Sequence, residues 1–285
     1  MFWAWMSKKV ENMTYNVALE KTVSMHSIDE SDTLAQGSKL SFLTGRGGQV
    51  KTDYCKSCAA HRLALCSGLK GTELSEFGQK SQHKKLNAGQ MLFSEFDEAK
   101  YFYTVVSGEI RLSRMLDDGR RQITGFKSTG DFLGLGLDGH YAADAEAIDD
   151  VVLCQFSVPT MNTSLEEYSE IQSRLMEMMQ TEVIKLQNHM LLLGRKTPIE
   201  KIANFLCERA NRKFLIEGQD DETNSVEIRL PMSRTDIADF LGLTIETVSR
   251  TITKLRKLGV IELQSSQNVL VTDLYELQLL ADGEG

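Results

Sequence analysis

Between residues 164 and 193 the chain carries neither proline nor glycine, and its apolar side chains fall at 168, 171, 175, 179, 183, 186, 190 and 193. Steps of three and four place them in one stripe along a helix of about eight turns. A stripe that long must be covered. One solution is packing against strands of the same chain; the other is pairing with the same helix of a second copy. The helix is longer than a small domain needs, which favours a two-helix seam through Leu175, Met179, Val183, Leu186, Met190 and Leu193. The stripe also divides the chain, because the pattern differs on either side of it.

Upstream, residues 1–50 are polar, show no sustained period and end in Thr44-Gly45-Arg46-Gly47-Gly48-Gln49. They read as a poorly ordered extension. Residues 51–70 hold three of the five cysteines, Cys55, Cys58 and Cys66. Residues 71–162 read as many short strands, among them Gln90–Phe93, Tyr101–Val106, Glu109–Ser113 and Val151–Val158. They are separated by turn signals at Ser107-Gly108, Asp117-Asp118-Gly119, Thr129-Gly130-Asp131 and Asp138-Gly139. Strands at that spacing predict a barrel, roll or sandwich. The long helix takes 163–196, and 197–285 form a second unit, so the class is α+β.

The whole chain has a formal net charge of −8, a balance that alone predicts no affinity for polyanions. By segment the balance changes. Residues 233–260 carry five basic and three acidic residues, whereas 261–285 carry five acidic and no basic residues. No apolar run approaches the roughly 20 residues of a membrane helix. The apolar start Met1–Met6 is too short for a signal core and lacks a cationic flank. A cytoplasmic protein is expected, and its cysteines then suit metal, redox or burial rather than disulfides. No nucleophile–base grouping or phosphate-binding glycine loop stands out, so an enzyme is not expected.

The locally basic stretch has a definite architecture. Ser233-Arg-Thr-Asp236 is a capping-box start for a helix over Ile237–Leu241. Gly242-Leu243 turns, Thr244 caps, and a second helix runs from Ile245 to about Leu258 before Gly259 ends it. A hairpin over 260–263 and 268–272 follows. Two helices joined by a Gly-containing turn make a helix-turn-helix, and the hairpin makes it winged. Glu246, Ser249 and Arg250 then lie on the exposed N-terminal part of the second helix, the part that enters a major groove in such motifs. Arg250 suits guanine O6 and N7, Glu246 suits cytosine N4, and Ser249 is a small versatile partner. Lys254, Arg256 and Lys257 suit phosphates. The plainer alternative makes Glu246 and Arg250 an i,i+4 surface pair.

Ser233–Arg250 closely resembles the recognition motif of the FNR subgroup of Crp/Fnr regulators. Gly125-Phe126, Gly130-Asp131-Phe132 and the helix ending Met190-Leu-Leu-Leu193 resemble the same subgroup, and the likeness covers roughly residues 51–280. The resemblance implies a cyclic-nucleotide-binding-like β-roll, a dimerisation helix and a C-terminal winged helix. It implies a homodimer on double-stranded DNA, at a palindromic site resembling TTGAT-N4-ATCAA, with RNA polymerase as a further partner. It assigns Glu246 and Arg250 to the central G·C pair of each half-site and Ser249 to a thymine.

The signal is a separate question, since one fold hosts many ligands. Gly130-Asp-Phe-Leu-Gly134 echoes half of a cyclic-nucleotide site. No arginine occurs between Arg121 and Arg174 to meet the cyclic phosphate, so no cyclic nucleotide is expected. Cys55, Cys58 and Cys66, with Cys154 on a strand far downstream, supply the four thiolates an iron–sulfur cluster commonly uses. That layout resembles FNR-type oxygen sensors, with one [4Fe-4S] cluster per subunit; the seven-residue gap before Cys66 is more like their alphaproteobacterial members. The resemblance implies that the intact cluster promotes dimerisation and that oxygen destroys it and releases DNA. Tetrahedral zinc is the rival for the same four thiols. FixK-like and haem-binding relatives generally lack the trio, which sets haem behind both. Leu65 would shield the cluster, or simply pack. His61 is a possible ligand but reads better as a solvated side chain, Cys154 alone would be a buried strand thiol, and Cys207 reads as core. Leu186 replaces an acidic residue of the enterobacterial form, so less repulsion at the seam would make this dimer less dependent on its cluster.

Overall fold

The computed structural model describes Cys55, residues 57–218 and residues 224–284. The expectation for residues 1–50 lies outside the described residues. Within them no helix is long and apolar enough to cross a membrane.

After a 3-10 turn at Leu65–Gly68 comes helix α1, Gly71–Gln79. The strand reading of 71–162 missed it, although Leu74 and Phe77 stand three apart and both are buried. The roll follows. Strands β1 (Gln82–Leu86), β2 (Met91–Phe93), β3 (Tyr101–Ser107), β4 (Ile110–Met115), β5 (Arg121–Lys127), β6 (Phe132–Leu133), β7 (Gly136–Leu137), β8 (His140–Tyr141), β9 (Asp144–Ala147) and β10 (Val151–Ser157) are all antiparallel. They form two four-stranded sheets, ordered β1-β10-β3-β6 and β2-β9-β4-β5, with β7-β8 as a small ribbon. Leu92, Val105, Ile110, Ala145, Val151 and Leu153 meet inside. Phe93 stacks on Tyr141 there, ring centroids 3.8 Å apart, so aromatic rings occupy part of the interior. Gly108 turns β3 into β4 at φ +83°; a Cβ there would lie 2.4 Å from the Asp150 carbonyl.

The long helix is two helices, α2 (Val158–Glu167) and α3 (Ser169–Arg195). Tyr168 breaks the expected single run, with φ −123° and ψ 102°. Tertiary contacts hold it there: its hydroxyl donates to Glu76 Oε2 at 3.3 Å, and its ring meets Phe77 edge-on.

The second unit begins with α4 (Pro198–Glu217), whose Thr197 amide donates to Glu200 Oε2 at 3.1 Å. Strand β11 (Val226–Arg229) leads to α5 (Arg234–Leu241) and α6 (Ile245–Lys257). Strands β12 (Ile261–Leu263) and β13 (Asn268–Val271) complete a sheet ordered β11-β13-β12, the wing. Helix α7 (Leu274–Asp282), absent from the sequence reading, lays Leu277, Leu280 and Ala281 into the core. Ile202, Phe205, Leu206, Ile237, Leu241, Val248, Ile252 and Leu255 share that core. The winged helix and the antiparallel roll are thus the α+β arrangement read from the sequence.

Candidate nucleic-acid interface and metal centre

The start of α5 is closed reciprocally. Ser233 Oγ accepts from the Asp236 amide at 3.1 Å, and Asp236 Oδ2 accepts from the Ser233 amide at 3.0 Å. Gly242 ends the helix in the left-handed region at φ +60°, and Thr244 Oγ1 accepts from the Thr247 amide at 3.2 Å to start α6. Val248, Ile252 and Leu255 turn inward. Glu246, Ser249 and Arg250 are left exposed on the first turns, and Lys254, Arg256 and Lys257 are exposed on the last. Arg250 Nε lies 3.4 Å from the Glu246 carbonyl, and the Glu246 carboxyl is held below its ordinary range by its own amide, then the Thr244 hydroxyl and the Arg250 charge. Both side chains face outward, which serves base reading and a surface pair alike.

All four proposed thiols are half-buried, and three of them, Cys55, Cys66 and Cys154, pack on one cluster that includes Leu65, Phe77, Phe156 and Ile171. Cys154 sits on β10 between His83 of β1 and Thr104 of β3. Gly78 in α1 admits Cys55: a Cβ there would lie 2.4 Å from its Sγ. Burial pushes the Cys66 thiol up to about 12, and neighbouring Cys58 and Cys55 push it the same way. Burial first, then Cys58, Cys66 and Cys55, raise Cys154 to about 12. Thiols that disfavour one another's ionisation suit a shared cation, which would reverse that sign. Among the described residues no three His, Cys, Asp or Glu side chains are grouped closely enough to hold a single metal ion. Leu65 is fully buried beside Cys66. His61 is not solvated as expected: it is half-buried, and its Nε2 is buried with no hydrogen-bond partner among the described residues. Cys207 lies in the other core, buried on α4.

The cysteine segment has anchors that no local sequence signal marks. Arg174 Nη2 of α3 donates to the Leu63 carbonyl at 3.0 Å. Leu63 fits against Gly130, where a Cβ would lie 2.5 Å from its own Cβ. Arg62 Nη2 donates to the Leu215 carbonyl at the end of α4 at 2.8 Å. The segment therefore touches the roll, the dimer-helix candidate and the winged-helix unit.

Along α3, Met179, Val183, Leu186, Met190 and Leu193 are exposed. Leu175, also expected in the seam, is half-buried against the cysteine-side cluster. Met176 beside it is 59% exposed, and 176, 179, 183, 186, 190 and 193 alternate steps of three and four as heptad a and d positions.

Two family models match: the Crp-like helix-turn-helix domain over residues 200–280 and the cyclic nucleotide-binding domain over residues 83–168. The chain is 43% identical over 208 residues to the nitrogen fixation regulation protein FixK of Bradyrhizobium diazoefficiens, covering 73% of this chain and 86% of that one. It is 33% identical over 223 residues to the transcriptional activator protein FnrL of Cereibacter sphaeroides, covering 78% and 90%. The solved structure of FixK2 from Bradyrhizobium japonicum aligns with a TM-score of 0.63 at 32% identity, covering 70% of this chain and 96% of that one.

Proposed function

The chain belongs to the Crp/Fnr family of transcription regulators, and from that premise we propose that it is an oxygen-responsive member whose signal is read by a [4Fe-4S] cluster in each subunit of a homodimer. The observation that carries this reading is that Cys55, Cys66 and Cys154, the last from a distant strand, pack half-buried on one cluster, with half-buried Cys58 close enough to act on the other thiols. Those four residues would hold the cluster, which when bound supplies iron that oxygen attacks. Tetrahedral zinc on the same four thiols is the alternative.

The chain's own residues do the rest. Leu65, buried in the cluster on which Cys55, Cys66 and Cys154 pack, would cover the thiols on the core side. Arg174 and Gly130 seat the segment on the head of α3 and on the roll. A segment held there stabilises α3, whose exposed heptad face pairs with a second copy. Two subunits then place two α6 helices on a TTGAT-N4-ATCAA-like palindrome, with Glu246, Ser249 and Arg250 at base edges and Lys254, Arg256 and Lys257 at phosphates. RNA polymerase is the further partner, and the cytoplasm the place of action. No cyclic nucleotide is used: Asp131 instead pairs with Arg212 at 2.9 Å, and no arginine from 122 to 173 is present to meet a cyclic phosphate.

Anaerobic purification tests the reading. It predicts a brown protein with iron and acid-labile sulfide, whose visible absorbance bleaches in air. A colourless protein with one zinc per chain contradicts it.

A further inference from the structure

The helix-turn-helix is bolted to the roll by charges its own sequence does not reveal. Asp236 is almost fully buried, its side chain 5% exposed. Its Oδ1 accepts from Arg111 Nη1 of β4 at 3.0 Å and from Arg121 Nη2 of β5 at 2.7 Å. Arg121 also donates from Nε and Nη2 to Asp239 Oδ2, at 3.0 and 2.7 Å. Gln122 Nε2 donates to the Asp239 carbonyl at 2.7 Å, and Arg111 Nη2 reaches Glu146 Oε2 at 2.7 Å. Beside them Phe126 of β5 meets Phe240 of α5, ring centroids 5.2 Å apart. All of these except the Arg111–Glu146 pair, which lies within the roll, are made by α5. Glu246, Ser249 and Arg250 on α6 take no part and stay exposed.

We propose that Arg111 and Arg121 are positioning residues for DNA recognition: they clamp α5 to the roll through Asp236 and Asp239, and so fix the reading helix relative to the dimer axis. Loose winged helices still recognise a half-site each. Only clamped ones hold two half-sites at one spacing, because an added base pair moves the second half-site both along and around the duplex. The arrangement is a forked-guanidinium lock, suited to setting an orientation.

The test compares Arg121→Ala with the wild type on TTGAT-N4-ATCAA and on the same duplex with a five-base spacer. The expected result is about a tenfold loss on the four-base spacer and a smaller loss on the five-base spacer, narrowing the spacing preference. Arg121→Lys should restore part of it. Equal losses on both duplexes, or tighter binding, overturn the clamp. The duplex rests on the family reading of the site. If the wild type ignores it, that reading fails and hydrogen exchange decides the clamp instead. Arg121→Ala should then speed exchange about fivefold or more in both 121–127 and 234–241, whereas Ser233→Ala, which removes the cap and one hydrogen bond to Asp236 Oδ2 but leaves both arginines in place, should speed 234–241 alone. Unchanged exchange in either segment of Arg121→Ala overturns the proposal.

Discussion

His189 lies flat on Phe240, ring centroids 4.3 Å apart and planes 22° from parallel. The pair joins α3 to α5, the exposed heptad helix to the first helix of the DNA-reading motif. Burial holds His189 below its ordinary range, with Lys201 adding to the effect against a hydrogen bond at the Phe240 backbone. The imidazole is therefore neutral at pH 7.

This gives a pH dependence of definite sign. The folded value is depressed, so the unfolded chain takes up the proton first as pH falls below about 6.5. Stability from this group is complete above that pH and is lost as pH falls towards the folded value. Urea midpoints at pH 7.5 and 5.5 should differ more for the wild type than for His189→Phe. Equal differences would show that the stacked ring does not carry the effect.

Cys154→Ala should abolish bound iron and visible colour in anaerobically prepared protein, while Cys207→Ala, in the other core, should leave both intact. Loss of colour in Cys207→Ala would mean the ligands have been misassigned. Its buried side chain makes a modest fall in stability the only expected effect.

Leu186→Asp should shift the chain to monomer. The side chain is half exposed at the middle of the 176–193 seam, so the monomer tolerates the change and only the pair suffers. Sedimentation should show at least about a tenfold weaker dimer with unchanged helix content. A dimer of unchanged strength would place the contact on another face of α3.

Arg250→Ala should weaken binding to TTGAT-N4-ATCAA by roughly 1–3 kcal/mol per half-site, about 5- to 160-fold for each, and relax preference at the central G·C pair. Lys257→Ala should weaken all sequences alike and lower the salt slope by about one. Unaltered specificity in Arg250→Ala would favour the plain Glu246–Arg250 surface pair.

The winged helix was legible because its signals are local. Ser233 and Asp236, Gly242 and Thr244 each act within a few residues of their own position. The same Asp236 shows the limit of such reading. Its cap is written in the sequence beside it, but its partners Arg111 and Arg121 lie more than a hundred residues away. Tyr168 breaks a helix that periodicity continues, because Glu76 and Phe77 hold it from outside. Leu175 and Met176 differ by one residue, and only the packing of the roll on α3 decides which faces out. Helix α7 was legible in principle, since Asp273 caps it and Leu274, Leu277 and Leu280 repeat every three residues; the acidic composition of 261–285 masked it. Only a family layout singles out Cys154 in the sequence, and its place beside Cys66 on one cluster comes from tertiary packing.

The central claim joins a metal state to DNA binding, and one titration measures both. Anaerobic protein is titrated against a labelled TTGAT-N4-ATCAA duplex by fluorescence anisotropy, with the visible spectrum of the same sample recorded before and after air is admitted. The account predicts tight binding by the coloured protein and a loss of affinity that follows the bleaching. Binding that stays unchanged while the colour disappears would contradict it.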